Sequence, residues 1–177
     1  MMKKAFTLAE VLITLGIIGV VVAITMPTLI QRFREKETVS KLQKAYSAIS
    51  QAYEYALAEN GTPDNWGLVS FSQNDETDEK NILYHLKPYL KLTEYCGTKQ
   101  FACWNNTKSV TGVTFSHSST KYYSKAILSD GTAILSLVSD PTCTSGSSIK
   151  NICGVIRVDL NGKKTPNIMG RDVFSFH

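Results

Sequence analysis

The sequence predicts an α+β protein in which a long N-terminal helix, first apolar and then amphipathic, packs on a small antiparallel sheet formed by later residues. Three observations support this fold class. An apolar run from Leu8 to Ile30 contains one charge, Glu10. A helical period of apolar residues continues to about residue 60. After residue 110, short stretches rich in β-branched and aromatic residues alternate with turn residues, a pattern typical of antiparallel strands.

Length and charge narrow the class of protein. At 177 residues the chain has room for one domain, or for one domain and a membrane anchor. The formal net charge is +4, from 19 basic and 15 acidic residues, which is not the balance of a nucleic-acid-binding protein. The stretch from Lys121 to Lys125 mixes lysines with tyrosines, and we interpret both lysines as solvent-exposed side chains of a strand. We therefore expect no nucleic-acid partner.

The apolar run is long enough to cross a bilayer as a helix, which takes about 20 residues. Three interpretations compete: a cleaved secretory signal peptide, a plain single-span anchor, and a short leader followed by a retained helix. The signal peptide is disfavoured, because its cleavage site needs small residues of the Ala-x-Ala kind. The stretch Ala23-Ile24-Thr25-Met26-Pro27 matches that pattern poorly.

The first nineteen residues carry a more specific pattern. A short basic leader, Met-Met-Lys-Lys-Ala, precedes Phe-Thr-Leu-Ala-Glu-Val-Leu-Ile-Thr-Leu-Gly-Ile-Ile-Gly, and this sequence resembles the N-terminus of type IV pilins and of type II secretion pseudopilins. The resemblance implies a pilin-like fold, cleavage between Ala5 and Phe6 by a prepilin peptidase, and methylation of Phe6. The family usually has glycine before the cut, and Ala5 is also small enough for a peptidase that selects by size.

Glu10 has two compatible interpretations. Thr7 and Glu10 fit the capping box Thr-x-x-Glu, in which two side chains bond the free amides at a helix start. A carboxylate in an apolar helix is otherwise costly, by about 2.5–3.5 kcal/mol at a bilayer centre. The pilin resemblance implies that Glu10 also pairs with the N-terminal amine of Phe6 on a neighbouring subunit. We favour the assembly role, because the cap alone does not explain Phe6 or the leader.

Two further features of the apolar helix bear on assembly. Small residues at Ala9, Gly16, Gly19 and Ala23 fall within roughly 80° of one face, and such a stripe lets helices approach closely in an apolar medium. Pro27 removes one helical hydrogen bond and crowds the preceding turn, so we predict a kink or a loosened turn there. The resemblance implies that the helix can stretch at Pro27 inside a filament.

From residue 31 to residue 60 the helix is predicted to continue with one apolar face that packs in a core. Apolar residues recur there at steps of four and three, the period of an amphipathic helix: Leu42, Tyr46, Ile49, Tyr53 and Ala56. Asn60-Gly61 is a typical helix stop, because glycine readily adopts the left-handed conformation that ends many helices.

The basic residues around the span conflict with the leader pattern over orientation. Lys3 and Lys4 precede the span, whereas five basic residues follow it between Arg32 and Lys44, and positive residues mark the cytoplasmic side. The count alone places the later residues in the cytoplasm. The leader pattern and the cysteines indicate the opposite, and we follow them. We expect a single-pass protein of the inner membrane whose C-terminal domain lies outside the cytoplasm.

Residues 61–177 are predicted to form that globular domain, after the leader at 1–5, the transmembrane and assembly helix at 6–30 and its amphipathic continuation at 31–60. We expect a short helix near residues 81–87. We expect antiparallel strands near 113–115, 122–128, 132–138, 155–160 and 173–176, with tight turns at Asp130-Gly131 and Asn161-Gly162. The stretches 128–132 and 158–174 also resemble segments of bacterial pilin-like proteins.

Four cysteines lie in the second half of the chain: Cys96, Cys103, Cys143 and Cys153. None forms a Cys-x-x-Cys pair, which disfavours a zinc site, and an even number in an exported chain favours disulfides. Three pairings are open. We prefer the local one, Cys96 with Cys103 and Cys143 with Cys153, and reduced buried thiols are the alternative.

The sequence offers little that is typical of an enzyme. It contains no His-Glu-x-x-His, no phosphate loop and no Gly-x-Ser-x-Gly, so we predict no catalytic residues. Asp159, Asn161 and Asp172 offer oxygen atoms of the kind that bind calcium, and some pseudopilins that the chain resembles have calcium in a C-terminal loop. We favour the alternative, hairpin-turn residues and a surface acid, and expect no cofactor.

The resemblance implies a structural function: a subunit that polymerises through its N-terminal helix into a type IV pilus or a type II secretion pseudopilus. The implied partners are the prepilin peptidase, other pilin or pseudopilin subunits and an inner-membrane assembly platform. The rival hypothesis is a membrane-anchored, outward-facing domain that binds or modifies a ligand and does not polymerise. Pilus or pseudopilus, and major or minor subunit, stay open as alternatives.

Overall fold

The computed structural model describes residues 7–144 and 150–177, so the predicted cleavage residues Ala5 and Phe6 lie outside the described part. The fold is α+β, with a long N-terminal apolar helix and a small antiparallel sheet. The helices are α1 (Leu8–Asn60) and α2 (Ile82–Leu86). The strands are β1 (Leu92–Gly97), β2 (Thr107–Lys108), β3 (Thr114–Phe115), β4 (Ser124–Leu128), β5 (Ala133–Val138), β6 (Gly154–Asp159) and β7 (Val173–Phe176).

Five strands form one antiparallel sheet in the order β1-β4-β5-β6-β7. β4 and β5 make a hairpin over Asp130-Gly131, where Gly131 takes a φ of +87° that glycine adopts without strain. β5 lies at the centre with every residue buried, and it pairs with β6 along its whole length. β2 and β3 form a separate two-stranded ribbon.

The described residues divide into two compact units whose boundary lies inside α1, between Ser40 and Lys41. The first unit contains the apolar part of α1 and the turns that follow it. The second unit contains the last turns of α1, together with α2 and all seven strands named above. The core of the protein belongs to the second unit, because the buried residues of α1 all come after the boundary.

The last turns of α1 pack on one face of the five-stranded sheet, which we call the inner face. The buried residues of α1 recur at helical spacing and are mostly alanines: Ala45, Ile49, Ala52 and Ala56. They share a core with five buried residues of the sheet: Ala126, Leu128, Ile134, Val138 and Val158. Four residues of the predicted apolar face lie on this core, because Ile49 and Ala56 are buried in it and Leu42 and Tyr53 pack against it. Tyr46 is the exception, at 57% exposed.

α2 packs two leucines into the same core, and a hydrogen-bonded serine of the sheet holds the start of the helix. Leu83 and Leu86 are fully buried. Ser136, on the inner face of β5, accepts a hydrogen bond from the Leu83 amide at 3.2 Å and donates to the side chain of Asn81. Asn81 in turn donates to the Tyr122 carbonyl at 3.1 Å. The start of α2 is thus tied to the sheet and to the segment before β4.

No strand is predicted from the sequence at Leu92–Gly97, yet β1 forms there. It is an edge strand that pairs with β4, and its register shifts twice. Thr93 and Glu94 are exposed in succession, so the sequence lacks the alternation that marks a half-buried strand. Pairing with β4 and a disulfide at Cys96, rather than a local pattern, hold this segment in the sheet.

Replacing Ser136 with alanine is expected to lower the free energy of unfolding by about 1–3 kcal/mol, because it leaves buried groups of Asn81 and Leu83 without their partner. Thermal unfolding of the full chain in detergent micelles, followed by circular dichroism, measures the change. Ser47→Ala, on an exposed part of α1, is the matched control and should change stability by less than about 0.5 kcal/mol. Equal effects of the two substitutions would contradict the proposed tie between α2 and the sheet.

Candidate functional site

α1 begins with a reciprocal cap. The amide and the hydroxyl of Thr7 donate to Glu10 Oε2 at 2.9 and 2.8 Å, and the Glu10 amide donates to Thr7 Oγ1 at 3.3 Å. This is the capping box that the sequence predicts. Both bonds that the Glu10 side chain accepts reach the same oxygen, and Oε1 accepts none from the described residues. The cap therefore uses one carboxylate oxygen and leaves the other for a second partner.

Beyond the cap, the surface of α1 is predominantly apolar on all sides as far as Ile30. Every residue from Thr7 to Glu37 is exposed, including Leu8 at 79%, Ile24 at 70% and Phe33 at 73%. The most apolar window has a mean hydropathy of 2.5. Within the described residues, α1 is the one helix that is long and apolar enough to cross a membrane. Exposed aliphatic surface on this scale marks contact with lipid or with another protein.

The second predicted assembly residue, Pro27, lies inside α1, and the helix continues through it to Asn60. Pro27 therefore does not end the helix, and a kink or loosened turn at that position stays a prediction. Gly16 and Gly19 face open space, because a Cβ atom added at either would meet nothing within 4 Å. The backbone of another helix has room to approach closely at these two positions.

The four cysteines form two disulfides. The first disulfide joins Cys96 to Cys103 and the second joins Cys143 to Cys153, which is the local pairing preferred from the sequence. The first fastens the end of β1 to the loop that follows it, and the second closes the segment before β6. Glu94 lies beside the first disulfide, but sulfur atoms in a disulfide are not the thiolates that bind metal ions.

Asp159, Asn161 and Asp172 lie near one another where β6 ends and β7 begins, and the carbonyl of Asp172 accepts from the residue after Asp159. Their side-chain oxygens mostly serve the protein itself. Asp159 accepts from the Asn161 amide and from the Asn167 side chain, both at 3.2 Å. Asp172 accepts from the Ile168 amide at 3.2 Å. These are contacts of turn residues, the favoured interpretation, and calcium binding stays an untested alternative.

The sheet face opposite the last turns of α1, which we call the outer face, carries three ionisable side chains. Lys125 of β4 and Arg157 of β6 lie in one row across the sheet, and Asp159 lies in the next row. Lys125 is fully buried, so its predicted exposure is wrong. Its Nζ donates to the carbonyls of Lys99 at 3.1 Å and Thr120 at 2.7 Å. Burial lowers the pKa of Lys125 to about 8, which leaves it charged at neutral pH.

Arg157 holds a histidine of the loop that covers the outer face. Its Nη1 donates to His117 Nε2, and because a guanidinium only donates, His117 is neutral with its proton on Nδ1. Burial, and then the charge of Arg157, lower the pKa of His117 to about 4. No motif in the sequence marks this pair, since 40 residues separate its members.

Asp159 has the opposite shift. Burial raises the pKa of Asp159 to about 7, against the hydrogen bond from the Asn161 amide and with a further contribution from the charge of Asp172. Asp159 is 2% exposed, so water does little to stabilise its charged form. His117 and Asp159, both buried at the outer face, therefore favour their neutral forms.

A protein-family model described as a family of unknown function, DUF6613, matches residues 28–177. The match spans most of the chain, including the whole second unit, and begins after the cap and most of the apolar run. No curated protein and no solved structure matches the chain. The match assigns no activity to the chain.

His117 and Asp159 are expected to make opposite contributions to the pH dependence of stability. The pKa of His117 is about 4 in the fold against about 6.5 in an unfolded chain, so its contribution is complete above about pH 6.5 and is lost as the pH falls toward 4. The pKa of Asp159 is about 7 in the fold against about 3.9 unfolded. Its contribution is complete below about pH 4 and is lost as the pH rises through 7.

We therefore expect Asp159→Asn to make the melting temperature rise more steeply with pH between about pH 4.5 and 6.5, and His117→Asn to change the slope in the opposite direction. Thermal unfolding of the full chain in detergent across that range measures both slopes. The slope of the unmodified chain should lie between those of the two variants. Parallel profiles for all three proteins would show that neither group resists charging in the fold.

Proposed function

We propose that this chain, which belongs to the family of unknown function DUF6613, is a structural subunit of a type IV pilus or of a type II secretion pseudopilus. In this proposal a prepilin peptidase removes residues 1–5, Phe6 is methylated, and α1 enters the core of a filament. The observation that carries the proposal is the exposed surface of α1 from Leu8 to Ile30. This surface is apolar on every side, and near its start it carries the capped carboxylate of Glu10.

The apolar part of α1 favours a bilayer as the place from which assembly starts. It has 13 leucine, isoleucine and valine residues between Leu8 and Ile30. At roughly 0.3–0.6 kcal/mol each, these residues favour insertion by roughly 4–8 kcal/mol in total. That exceeds the roughly 2.5–3.5 kcal/mol that one carboxylate costs at the centre of a span, and Glu10 lies near the end. In the proposal, the inner membrane therefore holds the precursor before it polymerises.

Glu10 favours the assembly proposal, because the Thr7 cap alone does not satisfy a carboxylate that is buried in an apolar filament core. The Thr7 bonds reach Oε2, and a carboxylate taken into an apolar core needs partners for both oxygens and for its charge. An N-terminal amine at Phe6 of a neighbouring subunit supplies both a positive charge and hydrogen-bond donors. In the proposal, that contact sets the axial position of one subunit against the next.

The two disulfides support an oxidising compartment for the second unit. They favour an orientation in which the residues after the span lie outside the cytoplasm, against the count of basic residues that follow it. In the proposal the partners are the prepilin peptidase, other pilin or pseudopilin subunits and the assembly platform of the inner membrane. No catalytic step is assigned to the chain.

A membrane-anchored domain that does not polymerise is the rival function. It would use the same apolar helix as a permanent anchor, and it would need neither cleavage before Phe6 nor a second partner for Glu10. The two functions therefore differ in what the charge of Glu10 is for. In the rival function the Thr7 cap is sufficient, whereas in the filament the charge itself is required.

Glu10→Gln is expected to block entry into filaments while leaving the helix cap in place. Glutamine can replace glutamate in a capping box, but it does not pair as an ion with an N-terminal amine. Removing one partner of a buried ion pair costs about 3–5 kcal/mol, which corresponds to at least about a hundredfold fewer copies per filament. Immunoblots of sheared filaments, compared with blots of the membrane fraction, measure that ratio.

Thr7→Val is the matched control, because it removes the capping hydroxyl and keeps the charge of Glu10. It costs about 1 kcal/mol of helix stability, so filament entry should stay within about fivefold of the unmodified chain. The membrane fraction shows whether both variants are made and inserted equally. Normal filament entry by Glu10→Gln, or a larger defect in Thr7→Val, would contradict the assembly role of the charge.

A further inference from the structure

Phe101 combines an exposed aromatic ring with an unfavourable backbone conformation, and the contacts of its own side chain do not offset that strain. It lies in the loop closed by the first disulfide, with 74% of its surface exposed. Its φ is +54°, a left-handed conformation that is unfavourable for a bulky residue. Residues in such conformations persist where the surrounding structure holds them, and they cluster at sites that bind ligands. An aromatic ring held in water by a strained backbone is suited to contact with a partner.

The loop that carries Phe101 is held at several points. The Phe101 amide donates to the Ser118 carbonyl at 2.7 Å. Lys125 donates from the outer face of the sheet to the carbonyl of Lys99 within this loop, and also to that of Thr120 in the segment before β4. The first disulfide fastens the same loop to β1. Binding of a ligand to this surface would therefore lose little conformational entropy, because the loop is already ordered.

A groove of about 540 Å³ runs beside the ring, a volume typical of small-molecule sites. It lies within the second unit, between the Phe101 loop, the segment leading into β2, and the turn before β7. The residues that line it are uncharged apart from one lysine and include Phe101, Asn105, Asn106, Lys108, Pro166 and Ile168. The groove therefore combines one aromatic surface with polar groups that carry little charge.

Two side-chain amides in the groove keep unused hydrogen-bonding atoms. Asn105 donates to the Lys163 carbonyl at 2.7 Å, and its Oδ1 accepts nothing from the described residues. Asn106 accepts from the Ser118 hydroxyl at 2.6 Å, and its Nδ2 donates to none of the described residues. Each amide is oriented by the bond that it makes and offers its other end. One neutral acceptor and one neutral donor thus stand beside the ring.

We propose that this groove is a binding subsite for a sugar residue. A pyranose ring has a face of C–H bonds, which packs on an aromatic ring. It also has an edge of hydroxyl groups, each both donor and acceptor, which suits the free ends of Asn105 and Asn106. Lys108 is the charged residue among those described that line the groove, so it favours an acidic sugar, a uronate, over a neutral one. Sugar binding at this groove does not require polymerisation.

Saturation-transfer difference NMR on the full chain in lipid nanodiscs tests the proposal with two probes, trigalacturonate and maltotriose. We expect saturation of sugar ring protons and tighter binding of trigalacturonate. Phe101→Asn removes the ring and supplies a residue that tolerates a positive φ, so it should weaken binding of both sugars at least about tenfold. Lys108→Gln should remove the preference for the acidic sugar while leaving maltotriose unaffected.

Two controls separate binding from folding. Phe101→Asn relieves an unfavourable backbone conformation, so its melting temperature should be unchanged or higher by about 2–4 °C. Tyr55→Ala removes an aromatic side chain of α1 that is 61% exposed and should leave both sugars bound. Absence of saturation transfer to both sugars, the result expected if the groove serves a protein partner, would overturn the proposal. Sugar binding that survives Phe101→Asn, or a lower melting temperature of that variant, would overturn it too.

Discussion

The rest of the structure depends on the apolar surface of α1, because this surface requires lipid or protein around it. Between Leu8 and Ile30 aliphatic side chains surround the helix, and water has to be excluded from them by lipid or by other protein. A bilayer meets this requirement for one copy, and a bundle of like helices meets it for many. The Thr7 cap serves one carboxylate oxygen of Glu10, and in the proposed filament a neighbouring subunit serves the other.

The second unit meets a different constraint, which is to cover both faces of a small sheet. Helices cover the inner face, where alanines of α1 lie against the strands. Loops cover the outer face, where Trp104 is buried on Leu135 and Leu137 in a second apolar cluster. Lys125, Arg157 and Asp159 add hydrogen bonds to loop carbonyls, to His117 and to a turn amide. Buried charges add little net stability, but they fix the position of the groups that they bind.

The loop between β1 and β4 is fastened by the first disulfide and by Lys125. It displays Phe101 beside a polar groove. If α1 places the chain in a filament, the second unit is the part left to meet the surroundings, and a stiff outer loop is where recognition is best located.

Features that depend on neighbours in sequence could be predicted, and those that depend on distant residues could not. The cap at Thr7 and Glu10, the end of α1 at Asn60 and the β4–β5 hairpin each follow from a few adjacent residues. The sequence does not predict the burial of Lys125, because nothing near it shows that its partners are backbone carbonyls of distant loops. β1 has no alternating pattern, since an irregular edge strand is held by its partner. In α1, hydrophobic size indicates Tyr46 for the core, whereas close packing buries Ala45 and leaves Tyr46 exposed.

N-terminal peptide mass spectrometry on protein taken from its native membrane distinguishes a processed filament subunit from a plain anchor and from a secreted domain. We expect a mature chain that begins at Phe6, with residues 1–5 absent, one methyl group added to the new amine, and the apolar run retained. An intact Met1 would contradict this expectation and indicate a plain anchor. A new N-terminus near Pro27 would contradict it as well and indicate an ordinary signal peptide.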